Sequence, residues 1–229
     1  MNPLPRALVM AKAPVPGRVK TRLGHEIGMD TAAGLASAAL LDTLDACTAA
    51  FGADRCHLAL DGELGAAVGG ELIVQALAGW AVTTQRGDTF AVRLVNAHAD
   101  LAATAPGPVV QIGMDTPQVT AQLLSAAAAA LGIEGEPASS DAVLGAAPDG
   151  GWWVLALRDS ARAGPLAGVA MSTPTTCTNT RAALTAAGLR VTTTTTMRDV
   201  DTVSDAVSVA HEAPDTRFAR AWNAVAGLV

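Results

Sequence analysis

Ala7-Leu8-Val9-Met10 runs directly into Ala11-Lys12-Ala13-Pro14-Val15-Pro16-Gly17-Arg18-Val19-Lys20-Thr21-Arg22-Leu23. The first four residues are an apolar run of strand length, and the basic segment begins where a buried strand would end. Open α/β folds bind ligands outside the carboxyl ends of their strands, so this junction predicts both a largely parallel sheet and a site. Lys12 and Lys20 are the only lysines in the 229 residues, and arginine carries the fixed positive charge elsewhere. That confinement weighs against an ordinary solvated loop, which is the usual reading of a charge cluster. Pro14 and Pro16 stiffen the loop and remove two backbone donors, and Gly17 permits a close backbone approach. Lys12, Arg18, Lys20 and Arg22 supply point charges and planar forks, so phosphate is the anion the segment suits. Two familiar phosphate loops are excluded: there is no G-x-G-x-x-G, and Gly17-Arg18-Val19-Lys20-Thr21 breaks the spacing of G-x-x-x-x-G-K-[ST].

Outward from this segment, strand patterns recur at residues 7–10, 56–60, 80–84, 108–113, 141–146, 152–157 and 189–194. Alanine- and leucine-rich stretches of helical length lie between most of them, at 31–50, 65–77, 90–103, 117–131 and 175–187. Alternation of this kind predicts an α/β fold with a mixed, mostly parallel sheet flanked by helices. Residues 141–146 and 152–157, joined through Pro148-Asp149-Gly150-Gly151, are too close for a helical crossover and are expected to form a hairpin. No Ser/Gly linker or charge block divides the chain, so one domain over residues 1–229 is expected.

Composition bounds the function. Half of the residues are hydrophobic, with 3 % aromatics and no tyrosine, which suits alanine-rich helices packed closely on a sheet. A net charge of −6 argues against nucleic acid and anionic membranes as partners but allows small phosphorylated ligands. Cys47, Cys56 and Cys177 are odd in number and lack C-x-x-C spacing, and the four histidines are scattered. Neither a disulfide framework nor a zinc site is indicated. The N-terminal Met-Asn-Pro-Leu-Pro-Arg has no apolar signal core and no stretch reaches ~18 uninterrupted apolar residues, so a cytoplasmic protein is expected.

Acids recur at strand ends. Asp115, in Gln111-Ile112-Gly113-Met114-Asp115-Thr116-Pro117, follows a strong strand pattern; Thr116 as N-cap and Pro117 as first helical residue would explain Thr-Pro but not the acid. At that edge Asp115 is placed to hold a divalent cation, because magnesium takes one or two protein carboxylates and completes its shell with water and phosphate oxygens. Asp149-Gly150-Gly151 reads equally as a tight turn or as backbone donors and an acid facing a ligand. In Arg198-Asp199-Val200-Asp201-Thr202-Val203-Ser204-Asp205, Thr202 is a helix cap and Asp201 is placed to reach the same cation. Gln85-Arg86-Gly87-Asp88-Thr89-Phe90 is a polar loop opening a helix.

Taken in order, these segments resemble the DUF2064 or CofC-like group of the nucleotide-diphospho-sugar transferase superfamily. Its members carry A-K-A-P-x-P-G-x-V-K-T-R-L, Q-x-G-x-D-L-G-x-R, I-G-x-D-[ST]-P, E-D-G-G-[YW]-[YW] and R-D-[VI]-D-T-x-x-D. The first motif is matched almost letter for letter. Departures stand at the loop 85–93, at Pro148 where an acid is usual, at Val203 where proline is usual, and at Ala170-Met171-Ser172-Thr173, which lacks the common tryptophan. The resemblance implies a GT-A fold with Asp115 as leading metal ligand and Asp201 as the second, binding Mg²⁺ or Mn²⁺. It further implies phosphate contacts from Lys12, Lys20 and Arg22 with Arg18 in the same loop, and nucleoside contacts from Gln85 and Asp88. Asp149, Gly150 and Gly151 would lie near the transferred sugar or its acceptor.

The expected activity is a metal-dependent glycosyl transfer from a nucleotide-activated sugar to a small-molecule acceptor, with Asp115 and Asp149 in catalytic roles. The alternatives are a guanylyltransferase-like enzyme that uses a nucleoside triphosphate and releases pyrophosphate, and a nucleotide-binding protein without catalysis.

Overall fold

The apolar run does form a strand. Arg6–Lys12 is β1, with Ala7 to Ala11 buried, as a central strand covered on both faces must be. The computed structural model describes residues 4–132 and 140–227. The first three residues of the N-terminal segment therefore lie outside the described residues.

Further strands are β2 (Cys56–Asp61), β3 (Ala81–Thr84), β4 (Val109–Ile112), β5 (Ala142–Ala146), β6 (Trp152–Leu157) and β7 (Val191–Thr194). The seven form one sheet in the order β3-β2-β1-β4-β6-β5-β7. All neighbours pair in parallel except β6, which runs against β4 and β5. The expected hairpin is thus present as β5 and β6, with a register shift at Gly145/Ala146. Helices are α1 (Thr21–Ile27), α2 (Met29–Phe51), α3 (Gly70–Ala76), α4 (Phe90–Thr104), α5 (Ala121–Ala129), α6 (Thr176–Ala186), α7 (Val203–Glu212) and α8 (Arg217–Ala226).

Both faces of the sheet are covered. Leu40 and Leu44 of α2, Ile73 of α3 and Leu124 of α5 pack on Val9, Leu58, Val110 and Ile112. On the other face Leu94 and Leu101 of α4, Leu184 of α6 and Leu166 meet Leu8, Leu144 and Leu155. Each leucine removed from water in this way contributes about 1.5–3 kcal/mol. A third cluster joins Leu23 of α1 and Leu35 of α2 to Val209 of α7 and to Phe218 and Trp222 of α8, which fixes the basic loop against the C-terminal helices. By length and composition Met29–Phe51 could cross a membrane, but 61 % of its apolar window is buried inside the protein, as befits a core helix.

Two local expectations are corrected. Residues 65–77 are not one helix: a 3-10 turn at Leu64–Ala66 precedes α3. Gly69 takes a left-handed φ of 68°, and Gly70 lies so close to the Leu64 carbonyl that a Cβ would sit 2.0 Å from its oxygen. Thr116 does not cap the helix after β4. Its carbonyl accepts from Val119 N in a turn, and the cap is Thr120, whose hydroxyl accepts from Leu123 N at 3.3 Å. Two helices lie outside the expected helical stretches: the short α1, closed by Gly28 at φ 92°, and the terminal α8.

Candidate functional site

The carboxyl ends of the parallel strands open into a cleft of about 820 Å³. Lys12, Arg18, Lys20 and Arg22 line it from the loop after β1, Gln85 and Asp88 from the loop after β3, and Asp115 from the end of β4. Asp149 and Gly151 reach it from the hairpin turn, and Asp199 and Asp201 from the segment after β7. The cations of the first motif and the acids of the later ones therefore share one cavity.

Their contact is direct. Lys20 Nζ donates to Asp115 Oδ2 at 2.9 Å and to Asp201 Oδ1 at 2.9 Å, and Arg22 donates to Asp201 Oδ2 at 3.3 Å. Asp115, Asp199 and Asp201 each offer a carboxylate oxygen within 4.8 Å of the other two. A set of hard oxygen donors at this spacing, already drawn around one ammonium, fits a divalent cation such as Mg²⁺ or Mn²⁺. Burial alone would depress the Lys20 pKa, but Asp115 and Asp201 more than reverse it and hold the amine charged. Asp199 is pushed up to about 6, first by burial and then by the negative charges of Asp115, Asp149 and Asp201, with Lys20 opposing.

Backbone ties bring the C-terminal acids to Asp115. Val200 N donates to the Asp115 carbonyl at 3.0 Å and Met197 N to the Ala146 carbonyl at 3.1 Å. Gln118 Nε2 donates to the Arg198 carbonyl at 2.6 Å. Val200 is buried, while Asp199 and Asp201 on either side of it line the cleft. Thr202 then caps α7 as expected, in a reciprocal capping box with Asp205, which also pairs with Arg198 at 2.8 Å. Arg198, Thr202 and Asp205 are thus scaffold, and Asp199 and Asp201 face the cleft.

The remaining predicted residues divide. Lys12 and Arg18 make no ion pair among the described residues, so their charges are open to an anion, whereas Lys20 and Arg22 are engaged by acids. Gln85 Nε2 donates to the carbonyls of Ala11 and Ala59, both at 2.9 Å, which locks its loop to the ends of β1 and β2. Asp88 is exposed on the rim. Asp149 Oδ1 accepts from Gly151 N at 2.7 Å, closing the turn. Gly150 serves the fold: its φ is 92° and a Cβ there would lie 2.1 Å from the Pro174 carbonyl oxygen.

Further residues complete the lining. Gln111, buried on β4, is part of the floor, and the fully buried His98 of α4 lies behind it. Burial lowers the His98 pKa to about 4, with the Gln111 amide offsetting this in part. Phe90, Trp152 and Met171 add apolar surface to the lining. Thr116 Oγ1 is buried on the lining with no hydrogen-bond partner among the described residues. Asp199 carries a sequence signal in its alternation with Asp201 about an apolar residue, but its approach to Asp115 comes only from the fold.

This arrangement can be set beside known proteins. The family model described as "uncharacterized protein conserved in bacteria (DUF2064)" matches residues 43–173, more than half of the chain. The chain belongs to this family. The DUF2064 chain is similar in structure to a candidate nucleotide-diphospho-sugar transferase from Desulfovibrio desulfuricans, with a TM-score of 0.79 and 26 % identity over 96 % of this chain and 92 % of the other. Rv0371c from Mycobacterium tuberculosis shares the fold at 21 % identity, covering 89 % and 97 % of the two chains with a TM-score of 0.55. A cytidylyltransferase from Leptospira borgpetersenii shares it at 12 % identity, 88 % and 82 % coverage and a TM-score of 0.53. No curated protein matches the chain. The expected fold, that of the nucleotide-diphospho-sugar transferases, is therefore the fold this DUF2064 chain has, and its structural relatives include transferases.

Proposed function

We propose that the protein is a cytoplasmic, metal-dependent transferase, one functional unit over its 229 residues, acting on a nucleotide-activated sugar and a small-molecule acceptor. One observation carries this reading: Lys20 of the basic loop and the acids Asp115 and Asp201 meet at 2.9 Å in a cleft that Lys12 and Arg18, unpaired among the described residues, also line. A cleft lined both by hard oxygen donors and by further cations matches the two halves of a metal–pyrophosphate complex.

In this reading Asp115 and Asp201, with Asp199 beside them, hold the divalent ion, which supplies Lewis-acid stabilisation of the departing diphosphate. Lys12 and Arg18 bind the phosphate oxygens and stabilise the charge that grows on them as the bond breaks. Asp149 commits Oδ1 to the turn, and its Oδ2, without a hydrogen-bond partner among the described residues, orients the acceptor hydroxyl and takes its proton. Asp88 meets the nucleoside at the rim, while Gln85 positions that loop. Gly151 borders the sugar or acceptor, with Gly150 keeping the turn in place. Phe90, Trp152 and Met171 exclude water from one side of the cleft, which strengthens the polar contacts opposite.

A second reading is favoured by the fold shared with a cytidylyltransferase: attack of a phosphorylated acceptor on a nucleoside triphosphate. Product analysis separates the two. Free nucleoside diphosphate supports glycosyl transfer, inorganic pyrophosphate supports nucleotidyl transfer, and neither product over a panel of nucleotide sugars and triphosphates with manganese overturns both.

A further inference from the structure

Lys20 is one of two lysines in the chain, and it stands where a metal would. Its ammonium lies 2.9 Å from Asp115 Oδ2 and 2.9 Å from Asp201 Oδ1, and only 11 % of its side chain is exposed. We propose that the Lys20 ammonium and a divalent cation are alternative occupants of one carboxylate cage, so that metal loading expels Lys20 and releases it to the phosphates of the incoming nucleotide. This rests on the metal-site reading above and adds to it a competition within the chain.

Two physical arguments support exclusion. A divalent ion bound by Asp115 and Asp201 would sit on the carboxylates that Lys20 Nζ holds at 2.9 Å, and two cations drawn to one pair of carboxylates repel strongly at that separation. The backbone also points to a held state. Lys20 has φ 45° and ψ 43°, a left-handed conformation sparsely populated by residues with a Cβ, and its side chain makes no capping bond to α1. The two ion pairs are what the structure offers in return for that conformation. Once they are lost, the residue has reason to move.

The released amine has a destination. Lys20 lines the same cleft as Lys12 and Arg18, whose charges are unpaired among the described residues. An ammonium that leaves two carboxylates as a metal–diphosphate complex arrives exchanges one pair of anionic partners for another without entering bulk water. The same contacts neutralise an acid cluster that would otherwise repel itself.

The scarcity of lysine makes the test direct. Protein labelled with ¹⁵N-lysine has two side-chain ammonium resonances, assigned with Lys12→Arg, and is titrated with Mg²⁺ alone. We expect the Lys20 resonance to shift or broaden away as the site fills while that of Lys12 changes little. A second measurement counts bound Mn²⁺ by electron paramagnetic resonance in wild type and Lys20→Met, with thermal melts of both to verify folding. We expect at least tenfold tighter Mn²⁺ binding by Lys20→Met. Equal or weaker binding, or an unmoved Lys20 resonance at saturating Mg²⁺, overturns the competition and leaves the metal site standing. If neither protein binds either ion, the metal site and the competition fall together. Should Lys20→Met fail to fold, the wild-type titration decides.

Discussion

Val200 donates its backbone N–H to the carbonyl oxygen of Asp115 across 3.0 Å, joining the segment after β7 to the end of β4. This bond brings acids that are far apart in the chain to one edge of the sheet. Val200 itself is buried, and the residues on either side of it line the cleft. The candidate metal site is therefore a product of sheet order: β4, the β5–β6 hairpin and β7 must all be in register before Asp115, Asp199 and Asp201 can approach.

Replacing Asp115 with Asn removes one negative charge from the cage but keeps the side chain's size. Nucleoside diphosphates with Mg²⁺ or Mn²⁺ should then no longer raise the melting temperature above that of the metal-free protein, while the fold stays intact by circular dichroism. Undiminished metal-dependent shifts in the variant would remove Asp115 from the site.

Lys12→Ala and Arg18→Ala should each weaken a nucleoside diphosphate by roughly 10- to 100-fold, the worth of a charge-assisted hydrogen bond, and the bare nucleoside hardly at all. Calorimetry with both ligands gives the comparison. Equal losses for the two would mean that these cations do not touch phosphate.

His98 predicts how stability changes with pH. Its ordinary pKa of 6.5 applies in the unfolded chain, while burial holds the folded value at about 4. Between these values the unfolded state takes up a proton that the folded state refuses. Stability is therefore full above pH 6.5 and falls as the pH drops toward 4, by about 3 kcal/mol over the whole window. Denaturant titrations across this range should show the slope in wild type and lose it in His98→Leu; an identical slope in the variant would show that another group titrates.

Gly150→Ala tests the turn beneath Asp149. The added Cβ would meet the Pro174 carbonyl at 2.1 Å on a backbone with φ 92°, so a loss of roughly 2–4 kcal/mol in urea denaturation is expected. Gly17→Ala also strains a positive φ but meets nothing within 4 Å, and should cost about 1 kcal/mol. Similar losses at the two positions would show that the Pro174 contact is unimportant.

Much of the fold was readable because each strand is a short apolar run bounded by turn residues, and each long helix is rich in alanine and leucine. The errors have local causes. A glycine pair at 69 and 70 splits what composition suggested was one helix. Thr116-Pro117 has the residue types of a helix start, but the chain turns first and Thr120 takes the cap. The short α1 and the polar-faced α8 hold their places through contacts with α2 and α7 that no local pattern announces.

For the site, residue chemistry named the participants and distance assigned their partners. The sequence alone determined that cations follow the first strand, that acids follow later ones, and that strands and helices alternate; these depend on neighbours in the chain. Only the tertiary structure decided that Lys20 and Arg22 pair with acids while, among the described residues, Lys12 and Arg18 do not, that Asp199 joins Asp115 and Asp201, and that Gln111, Trp152 and Met171 shape the cavity. Such relations depend on strand order and on the side of the sheet each residue faces, and a charge has no preferred partner until folding sets the distances between them.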